Sequence, residues 1–250
     1  MGTRPKAVRK LGRGCFLIKL DVEAAYKQIP VRPEDWPLLG FFWEGRWYYE
    51  RVLPFGLRSS CRLWELYAAA LHHLLQRVLK VSAEHIVIHY VDDFLFVVQH
   101  LEPAKQVLQR ALGLCKILGL PMAADKTEGP ATKLTFLGIE LDTMEMRASL
   151  PADKLEELRD LLTEWSSKEK ASIQELQSLA GMLNFACAVV RPGRFYLRRI
   201  IDWTAYLQKT VRGNKRPVDI GPTVRGDSAW WNEFQDLPQW NGTSLLYEEE

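Results

Sequence analysis

Tyr90-Val91-Asp92-Asp93 stands between two apolar runs, Ile86-Val87-Ile88-His89 before it and Phe94-Leu95-Phe96-Val97-Val98 after it. Runs this rich in β-branched and aromatic residues read as buried strands. Two adjacent carboxylates between such strands call for a hairpin turn. On a straight strand neighbouring side chains point to opposite faces and share no ligand. At a tight turn they can converge on one metal ion. Aspartate is also an ordinary solvated turn residue, so the pair acquires meaning only from the rest of the chain.

Upstream, Cys15-Phe16-Leu17-Ile18-Lys19-Leu20 reads as a buried strand ending at Asp21. A strand end holds a carboxylate rigidly, as a metal ligand needs, although a lone Asp there is equally a turn or N-cap residue. Val22 to Tyr26 can start one or two helical turns before Pro30, Pro33 and Pro37 break regular structure. Leu39 to Trp43 and Trp47 to Leu53 form an expected hairpin around Glu44-Gly45. Its aromatics, Phe41, Phe42, Trp43, Trp47, Tyr48 and Tyr49, read as core packing rather than nucleic-acid stacking. Gly56 lets another molecule approach the backbone closely. Ser59 or Ser60 caps a helix to Val78, with Leu63, Leu66, Tyr67, Ala70, Leu71, Leu74, Leu75 and Val78 on one face. His72 and His73 are adjacent, so they cannot face one ligand together and read as surface residues.

Downstream, Pro103 suits a first helical position. Val107, Leu108, Ala111, Leu112, Cys115 and Leu118 continue an amphipathic helix that Gly119 stops. Asp125-Lys126-Thr127 lies in the following loop. Leu134 to Leu141 reads as one strand paired with Met144 to Leu150 across Asp142-Thr143. From Pro151 on only helices are expected: Lys154 to Trp165, a helix to Val190 opened by the capping box Ser172-Ile173-Gln174-Glu175, and one from Arg194 to Leu207. Trp230, Trp231 and Trp240 lie in a short helix and tail.

The chain has 250 residues, 47% of them hydrophobic, enough to bury a sizeable core in one or two domains. Its net charge of +2 announces no partner. Between Arg191 and Arg216, however, eight basic residues face the single acid Asp202, so the segment carries +7 and the remainder −5. That asymmetry is the electrostatic footprint of a nucleic-acid backbone contact. The four cysteines, Cys15, Cys61, Cys115 and Cys187, form no CxxC pair, which argues against zinc and a disulfide framework and fits a reducing compartment. No apolar stretch suits a signal peptide or a membrane span. The expected location is intracellular, nuclear or cytoplasmic, with no membrane partner.

Asp21, with Asp92 and Asp93 in a hairpin 71 residues later, forms the three-carboxylate set that two-metal phosphoryl transfer requires. Oxygen ligands suit Mg²⁺. Here the sequence resembles the reverse transcriptases. Asp21-Val22-Glu23-Ala24-Ala25-Tyr26 resembles their first palm motif, Leu53-Pro54-Phe55-Gly56-Leu57-Arg58-Ser59-Ser60 the second, and Tyr90-Val91-Asp92-Asp93 the signature third. Gly119-Leu120 with Asp125-Lys126-Thr127 resembles the fourth, and Phe136-Leu137-Gly138-Ile139 the primer grip. Five motifs in order make the resemblance specific, over residues 10 to 240. The wording of Lys19 to Val31, Leu53 to Ser59 and Gly181 to Arg194 is most similar to DIRS and Ngaro-type retrotransposons that also carry a tyrosine recombinase.

The resemblance implies an RNA-directed DNA polymerase with two Mg²⁺ ions, Mn²⁺ being the substitute. It implies metal ligation by Asp21, Asp92, Asp93 and the Val22 carbonyl. Tyr26 would be the steric gate against a ribose 2′-OH, and Phe55 and Gly56 would line the nucleotide pocket. Lys126 would protonate the pyrophosphate leaving group. Arg191, Arg194, Arg198 and Arg199 would hold an RNA or DNA template with its primer, with deoxynucleoside triphosphates as substrates. The expected fold is α+β: a palm with truncated fingers over 1–150, a helical thumb over 151–215, and a connection over 216–250 leading to further polyprotein domains. With few residues before Asp21 to clamp a triphosphate, the chain alone is expected to polymerise poorly. The competing reading is a non-catalytic nucleic-acid-binding remnant.

Overall fold

The computed structural model describes residues 3–80, 85–211, 213, 215–234 and 240–246. Its elements are α1 (Thr3–Leu11), β1 (Phe16–Asp21), β2 (Gly40–Trp43), β3 (Arg46–Tyr49), α2 (Ser60–Val78), β4 (His85–Tyr90), β5 (Asp93–Val98) and α3 (Leu101–Ile117). There follow β6 (Glu128–Ala131), β7 (Lys133–Phe136), β8 (Ile139–Asp142), β9 (Arg147–Ser149), α4 (Ala152–Ser166), β10 (Lys170–Ala171) and α5 (Ile173–Ala186). The last are α6 (Gly193–Thr210), β11 (Val218–Asp219), α7 (Pro222–Phe234) and β12 (Thr243–Ser244). The fold is α+β, as expected. The chain divides into two compact units, one of Gly2–Phe136 with Thr143–Glu145 and one of Leu137–Asp142 with Met146–Glu250.

The first unit is built on an antiparallel sheet in the order β4-β5-β1-β6. Period-2 alternation gives the central strands two different faces. Ile18, Leu20, Phe94, Phe96 and Val98 pack with Trp64, Ala68, Leu71 and Leu75 of α2 and with Ala104, Val107, Ala111 and Cys115 of α3. On the other face Leu17, Leu95 and Val97 are equally buried, and the same face carries Lys19, Asp21 and Asp93. A one-residue slip of β1 against β5 would swap these faces and drive charges into the α2–α3 core. Each buried Leu or Phe is worth roughly 1.5–3 kcal/mol, so several together fix the register, with Asp21 opposite Asp93.

The β4–β5 hairpin turns on two residues, since Tyr90 pairs with Asp93. Val91 takes φ 57°, a left-handed conformation that a β-branched residue rarely adopts. Such a residue costs of order 1–3 kcal/mol and persists only where its surroundings over-determine it. Here Nε1 of the fully buried Trp64 donates to the Val91 carbonyl at 3.0 Å, and the Val22 amide donates to the Asp92 carbonyl at 3.2 Å.

Several sequence expectations need correction. The buried stripe of α2 is Ser60, Trp64, Ala68, Leu71 and Leu75, whereas Leu63, Leu66, Tyr67, Leu74 and Val78 are exposed. The helix is apolar on more than one face, so spacing alone did not choose among them. The six aromatics of β2 and β3 are exposed instead of forming a core, and they stack on one another, Phe41 on Tyr48 and Phe42 against Trp47. His72 is half-buried rather than on the surface, its Nδ1 lying 2.9 Å from Nδ1 of His89 in β4. The helix expected from Pro103 begins at Leu101, while Gly119 follows it at φ 70° in the stop position expected.

The strand expected over 134–141 is broken. Leu137 and Gly138 both take positive φ, so the run splits into β7 and β8. A side chain at Gly138 would meet the Phe185 ring at 2.8 Å.

In the second unit β8 pairs with β9, and β9 with β12. Helices dominate after Pro151, with β10 and β11 adding a two-residue ribbon that the sequence reading lacked. The expected capping box is present: the Glu175 amide donates to Ser172 Oγ at 3.2 Å and the Ser172 amide to Glu175 Oε2 at 2.7 Å. Hydrogen bonds from Lys168 first, then from the Ser172 amide and hydroxyl, hold the pKa of the Glu175 carboxyl down to about 2. The Asp227 carboxylate of α7, fully buried, accepts from Arg199 Nε of α6 at 3.0 Å.

Trp64→Phe is expected to lower unfolding free energy by about 2–4 kcal/mol, because it leaves a cavity and an unsatisfied turn carbonyl. Urea denaturation measures this. A loss under about 0.5 kcal/mol would mean that the indole bond does not restrain the turn.

Candidate active site

The carboxylates come together through strand register. Residues directly opposite in an antiparallel pair project on the same face, so Asp21 at the end of β1 lies beside Asp93 at the start of β5. Asp92 occupies the turn immediately before. Asp21 is buried and Asp93 half-buried. Burial first, then the charges of Asp92 and Asp21, push the Asp93 carboxyl above the usual carboxylate range, with Lys19 and Lys126 opposing. Like charges thus converge where water is partly excluded.

Two lysines answer them. Lys126 Nζ donates to Asp21 Oδ1 at 3.3 Å. That bond, followed by the charge of Asp21, raises the lysine above its ordinary value. Lys126 reaches the site from a single 3₁₀ turn, Ala124–Lys126, held to β1 by the Ala123 amide donating to the Asp21 carbonyl at 3.0 Å. Lys19, two residues before Asp21 on the same face, pairs with Glu128 of β6 at 3.1 Å. Val22 is buried, and its own amide is spent on the Asp92 carbonyl.

Tyr26 sits in a 3₁₀ turn, Ala25–Gln28, with its ring 5.2 Å from that of Phe55 and tilted by 53°. Its hydroxyl pKa is raised, first by a hydrogen bond with Cys61, then by burial and by the charges of Cys61 and Asp92. Tyr26, Phe55 and Asp92 therefore share one neighbourhood. Gly56, at φ 85°, has open space where a side chain would be. Ser60 Oγ anchors this segment to α2 by donating to the Pro54 carbonyl at 2.8 Å. The four arginines lie in the second unit and are exposed; Arg198 Nε donates to Asp202 at 3.0 Å, and Arg199 is committed to Asp227.

Sequence reading missed Trp64, Cys61 and Lys19. Lys19 carried a signal, the two-residue spacing to Asp21 on one strand face. Trp64 and Cys61 carried none, because their partners lie 27 and 35 residues away in sequence.

Among the described residues no three His, Cys, Asp or Glu side chains are gathered closely enough to enclose a metal on their own. The donor set still fits a hard cation. It is all oxygen, the charges of Asp92 and Asp21 add to burial in raising Asp93, and Mg²⁺ characteristically takes one or two carboxylates and completes its shell with water and substrate phosphates.

Residues 1–141 match the family model for reverse transcriptase (RNA-dependent DNA polymerase). The Gag-Pro-Pol polyprotein of human T-cell leukemia virus 2 is 27% identical over 221 residues, covering 80% of this chain and 15% of that protein. Protein P of duck hepatitis B virus is 28% identical over 179 residues, covering 71% of the chain and 22% of the relative. The chain thus spans less than a quarter of the length of these relatives. Among solved structures, a foamy viral protease-reverse transcriptase in complex with double-stranded DNA superposes with a TM-score of 0.64 over 93% of this chain and 38% of that one, at 19% identity. The same viral protein in complex with an RNA/DNA hybrid gives 0.63 over 92% of this chain and 29% of that one, at 18% identity. At these identities the likeness is one of fold. With the family model covering more than half of its 250 residues, the chain belongs to the reverse transcriptase (RNA-dependent DNA polymerase) family.

Proposed function

We propose that this chain is the polymerase domain of an RNA-directed DNA polymerase, adding deoxynucleotides to a primer on an RNA or DNA template. The observation that carries the reading is the β1–β5 register, which sets Asp21 beside Asp93 with Asp92 in the adjoining turn. Asp21, Asp92 and Asp93, with the Val22 carbonyl, would hold Mg²⁺, or Mn²⁺ in its place. When bound, such a metal pair polarises the attacking hydroxyl and stabilises the leaving oxygen of an in-line displacement.

The chain's own residues supply positioning and charge. Lys126, an exposed cation paired with Asp21, would donate a proton to a departing phosphate. Tyr26, with its ring against Phe55, is the steric gate toward the sugar. Phe55, largely exposed, and Gly56 present an open surface to a nucleotide. In domain terms residues 1–150 form the palm, 151–215 the thumb and 216–250 a connection toward further polyprotein domains. The exposed Arg191, Arg194, Arg198 and Arg199 serve the template and primer. The wording of the motifs supports an origin in a DIRS or Ngaro-type element.

Primer extension on an RNA template with Mg²⁺ tests the reading, run beside Asp92→Asn. The variant is expected to lose roughly 10²-fold or more in rate; equal extension by both would remove Asp92 from the chemistry. In the same assay Tyr26→Ala is expected to raise ribonucleotide incorporation relative to deoxynucleotide. An unchanged ratio would take Tyr26 out of sugar selection.

A further inference from the structure

The second unit carries a feature that duplex binding by arginines does not use. Arg194, Phe195, Tyr196, Arg198 and Arg199 of α6 and Trp230 of α7 line an open cavity of about 920 Å³. Phe195 is 85% exposed. Leaving a phenylalanine in water forgoes most of the roughly 1.5–3 kcal/mol that its burial would contribute, so an unpaired ring here is a place for another planar group. Tyr196 and Trp230 already stack, with centroids 3.9 Å apart and planes 12° from parallel, which gives the cavity a rigid aromatic wall.

Charge narrows the occupant. Three guanidinium groups line the cavity, and two of them are answered by carboxylates, Arg198 by Asp202 and Arg199 by Asp227. Among the described residues Arg194 has no carboxylate partner. The site therefore offers aromatic surface together with one uncompensated cation, within a segment of net charge +7. A planar base carrying one phosphate matches that pairing. A neutral apolar peptide would leave Arg194 unanswered, and a duplex, with its bases stacked inside, offers no ring to Phe195.

We propose that the α6–α7 cavity binds single-stranded nucleic acid, stacking an unpaired base on Phe195 and the Tyr196–Trp230 wall while Arg194 takes the adjoining phosphate. This rests on the nucleic-acid reading of the thumb arginines and adds to it a preference for unpaired bases. It assigns Phe195 and Trp230 a role that no polymerase motif gives them.

Fluorescence anisotropy of the full chain tests it with three probes: a single-stranded oligonucleotide, the same strand with central abasic sites, and a blunt duplex. The wild type is expected to bind the intact strand more tightly than the abasic one. Phe195→Ala should weaken intact-strand binding by roughly 5- to 150-fold, the range for losing one stacked base. It should leave the duplex within about twofold, under about 0.5 kcal/mol, since a duplex offers Phe195 no unpaired base. Because Phe195 is exposed, the variant should fold, and Phe195→Trp should restore single-strand affinity. Arg194→Gln should flatten the salt dependence of single-strand binding. Equal affinity for intact and abasic strands, or equal loss for strand and duplex in Phe195→Ala, would overturn the cavity assignment while leaving the arginine surface standing. A wild type that binds neither strand nor duplex would overturn both.

Discussion

Two negative charges are held side by side because two apolar faces leave them no alternative. Ile18 and Leu20 with Phe94, Phe96 and Val98 must face α2 and α3, while Leu17, Leu95 and Val97 must face the other way. Those demands fix a single register, and the register sets Asp21 opposite Asp93. Like charges directly opposite in an antiparallel pair are destabilising. Hydrophobic burial of several side chains, each worth a few kcal/mol, exceeds that cost. Lys126 and Lys19 oppose the rise of the Asp93 carboxyl, which burial drives first and the charges of Asp92 and Asp21 second.

Around that pair the first unit places its remaining devices through α2. Trp64 holds the strained Val91 turn that carries Asp92. Ser60 ties down the segment bearing Phe55 and Gly56. One helix thus supports both the acidic turn and the segment bearing Phe55. A helix placed by core packing is a stiff mount, the condition under which positioning contributes to catalysis.

The strands and their carboxylates were legible because short continuous apolar runs, rich in β-branched and aromatic residues, end at Asp21 and flank Asp92-Asp93. The capping box of α5 was legible because its partners are three residues apart. The face of α2 was legible only in Leu71 and Leu75. Leu63, Leu66 and Leu74 mimic a core stripe as well as Trp64, Ala68 and Leu71 do, and only the sheet beneath decides between them. The β2–β3 aromatics misled because burial is the usual fate of such side chains, whereas here both faces of the hairpin are exposed. In Leu134 to Leu141 the hydrophobic pattern runs unbroken through a turn whose one local sign is Gly138. For the site, the carboxylates and Tyr26 were readable as motif residues, while Trp64 and Cys61 act through distant partners and leave no local trace.

If the Asp21–Asp93 pair is a cation site, a divalent ion should relieve its repulsion and stabilise the folded chain. Binding to the folded state alone adds about 2.7 kcal/mol at a hundredfold excess over Kd. The direct measurement is the unfolding midpoint of the full chain with and without saturating Mg²⁺, compared with Asp21→Asn/Asp93→Asn. The wild type should be raised by Mg²⁺, whereas the variant should be more stable than the wild type without metal and indifferent to its addition. A wild type unmoved by Mg²⁺, or a variant raised by the same amount, would contradict the assignment of this register-locked pair as the metal site.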